Sequence, residues 1–494
     1  MEMEFLKTEF PYLQTVLRQV QTQEQTQEVR IGDEMPDIGR VLASWGQVLI
    51  RSKEWRTGTL GVSGGVMVWV MYAPEDGSAP QSVQAWLPFQ MKWDIPEGVP
   101  EGNIIATPML YGVDARSTAS RKIMVRTCAG VMAEGVCKAK ESLCSPKDLP
   151  EDVFLLQNNY PVIVPVETGE KAFLIDEIMP SVSAQGTVAR IIHYAVQPEI
   201  TDQRLLSDKL IFRGRILISG LYADSEGELH CFEGELPVSQ YTEVKGEFSE
   251  NAYATILAAI TSLEMEPAND GGFGVKVGLV GQYMIFDCCT IAVTEDAYSP
   301  FRKVSAQMGQ VDLPVVLDRA SEMILADLVL DDGVTEIVDV AFYPEHPRVY
   351  KEEMLVTAEL TGNFNVLYRD DDGVLRNKVC RWADILEIHA AEGAGISVAI
   401  TPCSSNSNGL EKKQKLCIDI TTVGNVGAHM VEALELGDWE EANPDRPGLI
   451  LQRRGEGSLW DIAKKYGSSV ELIQKMNNLQ QDSDSSKMLL IPVL

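Results

Sequence analysis

Residues 449–494 read LILQRRGEGSLWDIAKKYGSSVELIQKMNNLQQDSDSSKMLLIPVL and contain the clearest structural signals in the chain. A short apolar run at 449–451 predicts an opening strand. Ser458 is a good N-cap for a helix that starts directly after it. One face of this helix has apolar residues at helical spacing, namely Leu459, Ile462, Ala463 and Tyr466.

The second half of this stretch predicts another helix and a closing strand. Gly467 can end the first helix, because glycine takes a left-handed backbone conformation without a steric penalty. Ser469 can cap the second helix, which ends at 477–478, and residues 488–491 then predict a strand before Pro492. The order strand, helix, helix, strand therefore fits within 46 residues.

Four blocks of this stretch resemble, in order and spacing, the core motifs of LysM domains. They are 455–460 (GEGSLW), 462–467 (IAKKYG), 477–479 (NNL) and 489–492 (LLIP). The resemblance implies binding without catalysis, usually of N-acetylglucosamine-containing glycans, in a groove between two loops. It assigns one wall to Gly455, Glu456, Gly457, Ser458 and Leu459, and the other to Asn477, Asn478 and Leu479. Trp460 fits either the core or the edge of the groove.

The charge of the chain narrows the classes of partner. The 494 residues include 42 basic and 72 acidic side chains, a net charge of −30, and this length predicts three or four domains. Residues 449–494 hold six basic and five acidic side chains, a net of +1, so the rest of the chain carries −31. So negative a surface repels phosphate backbones, which argues against a nucleic-acid partner.

Cysteine usage and hydropathy predict a protein that stays inside the cell. The nine cysteines include no Cys-x-x-Cys pair, which favours free and mostly buried thiols in a reducing compartment. The first residues lack the basic head and apolar stretch of a secretory signal. No window approaches 18 consecutive apolar residues, so we expect no membrane span.

A pattern of strand, tyrosine and acidic turn occurs three times in the body of the chain. β-rich runs end at Tyr72, Tyr222 and Tyr368, which are 150 and 146 residues apart. Each is followed by an acidic turn that ends in glycine, at positions 77, 227 and 373. Asp and Gly favour tight turns, so each copy predicts a hairpin. A period of about 148 residues indicates three homologous domains.

Other segments of the body give further expectations of secondary structure. Alternating apolar residues predict strands over 41–50, 60–72 and 83–93. In the N-terminal segment, residues 13, 16, 17 and 20 have helical spacing, but residues 20–31 could also alternate as a strand, so both structures stay open. Residues 251–263 predict a helix, and the turn-rich stretch 142–152 predicts a linker.

The repeats resemble the SPOCS domains of clostridial spore-coat proteins. The supporting segments are 35–38 and 85–89 in the first copy, 176–178 and 197–202 in the second, and 338–343 and 359–373 in the third. Three such copies before a LysM module resemble the SipL-type spore morphogenetic proteins. This resemblance implies a mother-cell protein whose LysM domain binds the stage IV sporulation morphogenetic ATPase and helps to hold the basal coat layer on the forespore.

The sequence therefore predicts a mainly β chain, with three tandem β-rich, SPOCS-like domains followed by a small α+β module of βααβ order. The expected boundaries are 1–150, with an N-terminal segment and the first domain, 151–305 for the second domain, 306–437 for the third, 438–447 for a linker and 448–494 for the LysM domain.

Residues that could carry chemistry are sparse. The five histidines have no metal-ligand spacing, and residues 271–274 (GGFG) lack the Lys and Ser/Thr of a phosphate loop. We therefore expect no catalytic residues, no metal and no cofactor. The leading hypothesis is a non-enzymatic spore-envelope scaffold at the forespore surface that binds the ATPase and other coat proteins, and the second is a glycan-binding protein.

Overall fold

The computed structural model describes residues 2–3, 5–180, 188–268, 272–330, 333–390, 393–408, 410–440, 447–453, 457–479 and 488–494. Strands make up nearly all of the regular structure in these residues, and both helices lie near the C-terminus. The prediction of a mainly β chain with a C-terminal α+β module is confirmed.

A two-residue strand, β1 (Glu2–Met3), precedes unit I, which we define as residues 5–146. Three of its strands form an antiparallel meander, and in a second sheet its last strand pairs with both the first and the fifth. The strands of unit I are β2 (Phe5–Arg30), β3 (Ile38–Arg56), β4 (Thr59–Pro74), β5 (Gln81–Asp94), β6 (Asn103–Ala119) and β7 (Lys122–Pro146). The meander is β3-β4-β5, and the second sheet has the order β2-β7-β6.

Unit II, residues 154–298, repeats this strand order. Its meander is β9-β10-β11, and its long last strand lies between the first and fifth strands in the order β12-β13-β8. The strands of unit II are β8 (Phe154–Met179), β9 (Val188–Leu205), β10 (Lys209–Asp224), β11 (Leu229–Glu243), β12 (Tyr253–Pro267) and β13 (Phe273–Tyr298).

Unit III, residues 302–439, has the same arrangement with its second strand in two pieces. Both pieces pair with the central strand of the meander, and the last strand again pairs with the first and the fifth. The strands of unit III are β14 (Arg302–Asp327), β15 (Val334–Pro344), β16 (Arg348–Glu352), β17 (Leu355–Asp370), β18 (Leu375–His389), β19 (Gly395–Asn408) and β20 (Glu411–Trp439). β1 also pairs with β20.

The three predicted hairpins are present, and their turns share the same backbone geometry. The glycines at 77, 227 and 373 all have positive φ angles, of 75°, 86° and 72°. The N–H of each glycine donates to the carbonyl oxygen three residues earlier, at distances of 3.3, 3.1 and 2.9 Å. Asp224 Oδ1 accepts from two backbone N–H groups of its turn, and Asp370 Oδ1 does the same. Local side-chain chemistry therefore suffices to place these turns.

The predicted strands over 41–50, 60–72 and 83–93 are confirmed as parts of β3, β4 and β5. The open choice for residues 20–31 resolves to strand, because β2 pairs with β7 along its length. The predicted helix over 251–263 is wrong, since residues 253–267 form β12 and pair with β13. A ladder to a long neighbouring strand here outweighs the helix propensity of an alanine-rich segment.

The connections are shorter than the predicted linkers. β7 extends to Pro146, so only the end of the predicted linker 142–152 lies between strands. The predicted boundary at 305–306 falls inside β14, and the predicted linker 438–447 begins within β20. Residues 441–446 of that linker lie outside the described residues.

The three units meet at one buried junction. Asp339 of β15 accepts a hydrogen bond from Trp45 Nε1 of β3 at 2.8 Å and one from His193 Nε2 of β9 at 3.0 Å. The Trp45 and His193 rings are stacked, with centroids 4.0 Å apart and an interplanar angle of 9°. Each unit thus supplies one side chain from its own second strand, which is the first strand of its meander.

Further hydrogen bonds link unit I to its neighbours. The Gln282 side chain of β13 is buried, and its Oε1 accepts from Ala106 N at 2.9 Å and from Lys53 Nζ at 2.7 Å. Its Nε2 donates to the Ala106 carbonyl at 2.9 Å. On the other side, Asn365 Nδ2 of β17 donates to the Ser44 carbonyl at 2.6 Å.

His346 joins units I and III in a defined tautomer. Its Nε2 lies 3.1 Å from the Thr107 carbonyl, which can only accept, so Nε2 carries the hydrogen. Its Nδ1 therefore accepts from the Tyr111 hydroxyl at 2.9 Å. Burial lowers the pKa of His346 to about 4, so this ring is neutral at pH 7.

The hydrophobic core is shared between the units as well. One cluster of buried side chains draws on the central strands of all three meanders, with Trp69 of β4, Tyr222 of β10 and Leu367 of β17 among its members. A change in the relative position of the units would expose part of this cluster to water.

Asp339→Ala should destabilise the fold more than loss of an ordinary surface carboxylate, because Trp45 and His193 lose their acceptor. Unpaired buried donors cost about 1–3 kcal/mol each, so we expect a loss of about 3 kcal/mol in denaturant unfolding monitored by circular dichroism. Asp384→Ala, at an exposed position of β18, is the control. Equal midpoints for the two variants would contradict a structural role for the junction.

Acid should weaken the contact between units I and III through His346. Its folded-state pKa of about 4 lies below the ordinary value of 6.5, so its contribution is complete above pH 6.5 and is lost as the pH falls toward 4. By linkage the loss at pH 5 is about 2 kcal/mol. His346→Gln can keep both hydrogen bonds without titrating, and its melting temperature should fall less than wild type between pH 7.5 and pH 5. Parallel curves for the two proteins would refute this assignment.

Candidate functional site: the C-terminal module

The terminal module has the predicted order, with β21 (Leu449–Arg453), α1 (Leu459–Tyr466), α2 (Val470–Asn477) and β22 (Met488–Pro492). Ser458 caps α1 in a capping box, since its Oγ accepts from Asp461 N at 3.1 Å and Asp461 Oδ2 accepts from Ser458 N at 3.2 Å. Gly467 ends α1 at φ 61°, and Ser469 caps α2. The helix signals in the sequence are confirmed residue by residue.

The two helices pack against one face of the β21–β22 sheet. Leu459, Ala463 and Ile473 of the helices are fully buried with Leu489 and Ile491 of β22. Of the apolar stripe predicted for α1, only Tyr466 is half-buried rather than buried. The module therefore has a small core of its own.

Trp460 joins this core to unit II. Its Nε1 donates to Asp296 Oδ2 at 2.8 Å, and its ring meets the Tyr298 ring edge-on with centroids 4.8 Å apart. Tyr298 in turn donates from its hydroxyl to the Ser468 carbonyl at 2.7 Å. Lys464 Nζ lies 2.7 Å from both oxygens of Asp296. The end of β13 thus holds α1 and the turn that follows it.

The electrostatics of this contact stabilise a charged Asp296. Burial raises the pKa of its carboxyl, but hydrogen bonds from Lys464 and Trp460 outweigh burial, so the pKa lies below its ordinary value. Burial raises the pKa of Tyr298 to about 12, so its hydroxyl keeps its proton and acts as a donor. Both groups are in the protonation state that the contact needs at neutral pH.

An ion pair joins the segment just before unit II to the start of unit III. Arg302 donates from Nε to Asp152 Oδ2 at 2.7 Å and from an Nη to Oδ1 at 2.6 Å. Ser299 Oγ also donates to Asp152, and the Arg302 guanidinium lies 5.1 Å from the centre of the Trp439 ring. The residue that ends β20 is thereby fixed on the start of β14, close to where the module attaches.

The predicted groove residues separate into different roles. Gly455 and Glu456 lie outside the described residues. Gly457 is exposed and Ser458 is half-buried as the helix cap. Leu459 is fully buried in the module core. On this wall, the described residue most open to a ligand is therefore Gly457.

Trp460 and the second wall show a similar division. Trp460 is buried, because unit II covers it. Asn477 fastens α2 to β22, since its Nδ2 donates to the Leu490 carbonyl at 2.7 Å and its Oδ1 accepts from Leu490 N at 2.8 Å. Asn478 is exposed at φ 52°, and Leu479 is half-buried.

Sequence reasoning missed the unit II side of the contact, Asp296 and Tyr298. They lie in the segment VTEDAY at 293–298, which has no motif that marks a docking site. The exposed leucines of β21 also went unnoticed. The sequence pattern could have shown them, because β21 has apolar residues on both faces. A two-stranded sheet that packs on one side needs apolar residues on only one face.

Other parts of the described structure are weaker candidates for a functional site than the terminal module. A cavity of about 770 Å³ lies at the junction of the units and is lined by Trp45, His193 and Asp339 among others. Two of its glutamines already bond between units: Gln47 Oε1 accepts from Val196 N at 3.2 Å, and Gln197 donates to the Pro402 carbonyl. Within the described ranges, no group of three or more His, Cys, Asp or Glu side chains could hold a metal ion.

Three of the nine cysteines are buried, fewer than predicted: Cys137, Cys144 and Cys403. Neither helix in the described part of the chain has the length or apolar run that crossing a membrane requires.

Fold and site together define a β-rich protein with a docked C-terminal LysM module. A family model for the SipL SPOCS domain matches residues 187–265, and a LysM domain model matches residues 453–483. The first match covers β9 to β12 of unit II, and the second covers most of the terminal module. The chain therefore carries the domain pair of a SipL-type sporulation protein, a SPOCS domain followed by a LysM domain.

Comparison with curated proteins finds no match. Among solved structures, the ferric yersiniabactin uptake receptor from Yersinia pestis aligns over 86% of this chain and 80% of that chain, with 10% identity and a TM-score of 0.10.

Asp296→Ala should release the module from unit II, because Trp460 and Lys464 then lose their shared acceptor. We expect α1 amides to exchange with deuterium about tenfold faster, as helix α1 loses part of its burial. Asp176→Ala removes a surface carboxylate of the same unit and should leave α1 unchanged. Unaltered α1 exchange in Asp296→Ala would show that this carboxylate does not hold the module.

Proposed function

We propose that the chain is a non-enzymatic assembly protein of the spore envelope. In this proposal the three β-rich units, each a SPOCS domain, form a scaffold in the mother cell. The LysM module docks on the stage IV sporulation morphogenetic ATPase of the basal coat layer and brings the scaffold to the forespore surface. The SPOCS and LysM matches support a role in sporulation. The shared strand order of the three units supports their common origin.

The observation that favours a protein partner over a glycan is the state of the groove residues. Leu459 is in the core, Trp460 bonds Asp296, and Asn477 bonds the backbone of β22. Of the described groove residues, only Gly457 and Asn478 are exposed. Recognition of a hydroxyl-rich glycan needs several convergent hydrogen-bonding groups, and these side chains are used inside the protein.

The attachment of the module supports a scaffold role. Because β13 holds α1, a partner bound to the module is also held in a set orientation to unit II. The net charge of −30 favours partners, including other coat proteins, with basic or neutral surfaces toward the body of the chain.

The second candidate is binding of peptidoglycan or another N-acetylglucosamine-containing glycan. The LysM match is the observation that favours it. Exposed Gly457 and Asn478 would then contact the sugar from opposite walls. The two candidates differ in the partner that the same module binds, so a single experiment separates them.

The full chain should bind the purified ATPase saturably and should not bind peptidoglycan fragments in parallel titrations. The full chain is needed because an isolated module would lose its contacts with Asp296 and Tyr298. An excess of chitooligosaccharide should leave ATPase binding unchanged. Saturable binding to glycan alone would contradict the proposed function and support the second candidate.

A further inference from the structure

The outer face of the β21–β22 sheet is apolar and exposed. In the antiparallel register, Leu449 lies opposite Pro492, Leu451 opposite Leu490, and Arg453 opposite Met488. These six residues lie on one face, because side chains alternate along a strand. Leu451 is 62% exposed, Leu449 49% and Met488 46%. We call the side chains of Leu449, Leu451, Met488 and Leu490 the outer strand face.

This face has no role in the core of the module. The helices pack on the opposite side of the sheet, where Leu489 and Ile491 are fully buried. The solvated face of an antiparallel sheet normally carries polar residues. Leu449, Leu451 and the half-buried Leu490 depart from this pattern. A cluster of exposed apolar side chains, here Leu449, Leu451 and Met488, marks an interaction surface.

Docking on unit II leaves the outer strand face uncovered. The contact with β13 uses Trp460 and Lys464 of α1 and the backbone at Ser468, which are on the helical side of the module. The exposed fractions above already include cover from all three units. The contact with unit II therefore covers the helical side of the module and leaves the outer strand face exposed to solvent.

Charge indicates the chemistry of the partner. Arg453 is exposed beside Met488 at the rim of this face. The described residues of the module include four basic side chains and two acidic ones, whereas the chain as a whole carries −30. A second copy would bring two such acidic bodies together and would place Arg453 near its own counterpart. The charges thus fit a different protein with carboxylates around an apolar strip.

We propose that the outer strand face is the surface through which the module docks on its protein partner, and that the partner presents an apolar strip bordered by carboxylates. The inference rests on the proposed function, in which the module binds a protein. It assigns the contact to the strands of the module instead of the groove between its loops.

The test compares two double variants of the full chain against the purified ATPase. Leu451→Thr with Leu490→Thr removes apolar surface while retaining strand propensity, and it should weaken binding at least about tenfold. Val379→Thr with Ile385→Thr is the matched control, since these residues of β18 are 59% and 63% exposed. The control should bind within about twofold of wild type. Wild-type affinity in the first variant overturns the inference.

A photo-crosslinking arm separates failure of the inference from failure of the proposed function. A photoreactive residue replaces Leu451 in one full-length protein and Asn478 in another, both in sporulating cells. An adduct between position 451 and the ATPase that disappears in the Leu490→Thr variant supports both the inference and the proposed function. If wild type does not bind the ATPase, the proposed function fails. The inference then stands only if position 451 crosslinks to an identified protein whose contact surface is apolar and bordered by carboxylates, and if Leu490→Thr abolishes that adduct. No adduct at 451 overturns the inference, whatever position 478 shows.

Discussion

The arrangement of the three units depends on one partly buried carboxylate. Asp339 of unit III accepts hydrogen bonds from Trp45 of unit I and His193 of unit II. Trp45 and His193 are buried and need an acceptor, so moving any one unit leaves the carboxylate or a donor unpaired. The shared core and the bonds of Gln282 then add to an arrangement that this junction already specifies.

A carboxylate with donors from a distant part of the chain is also found where the terminal module attaches. Asp296 is another partly buried carboxylate, and its donors, Trp460 and Lys464, come from a different part of the chain. The module therefore is not suspended from its linker, because its orientation is set by unit II. That orientation turns the helical side inward and the strands of the module outward, which connects the fold of the body to the surface offered to a partner.

Much of the fold was predictable because short-range chemistry decides it. The hairpin turns follow from Asp and Gly within a few residues, and the two helices follow from Ser458, Ser469 and Gly467. Prediction failed over 251–263, where a ladder to β13 overrides local preference. For the candidate site, the sequence predicted the module and its loops. The sequence did not predict the burial of Trp460 or the hydrogen bonds by which Asn477 joins α2 to β22.

The sequence by itself determined the strand-rich character, the threefold recurrence of a turn motif and a LysM module at the C-terminus. Each depends on residues near one another in the chain. Only the tertiary structure decided that Asp339 pairs with Trp45, that Asp296 pairs with Trp460, and which leucines remain exposed. Those pairs are separated by 294 and 164 residues. Which buried donor meets which carboxylate is decided by how distant strands pack, and no local pattern records it.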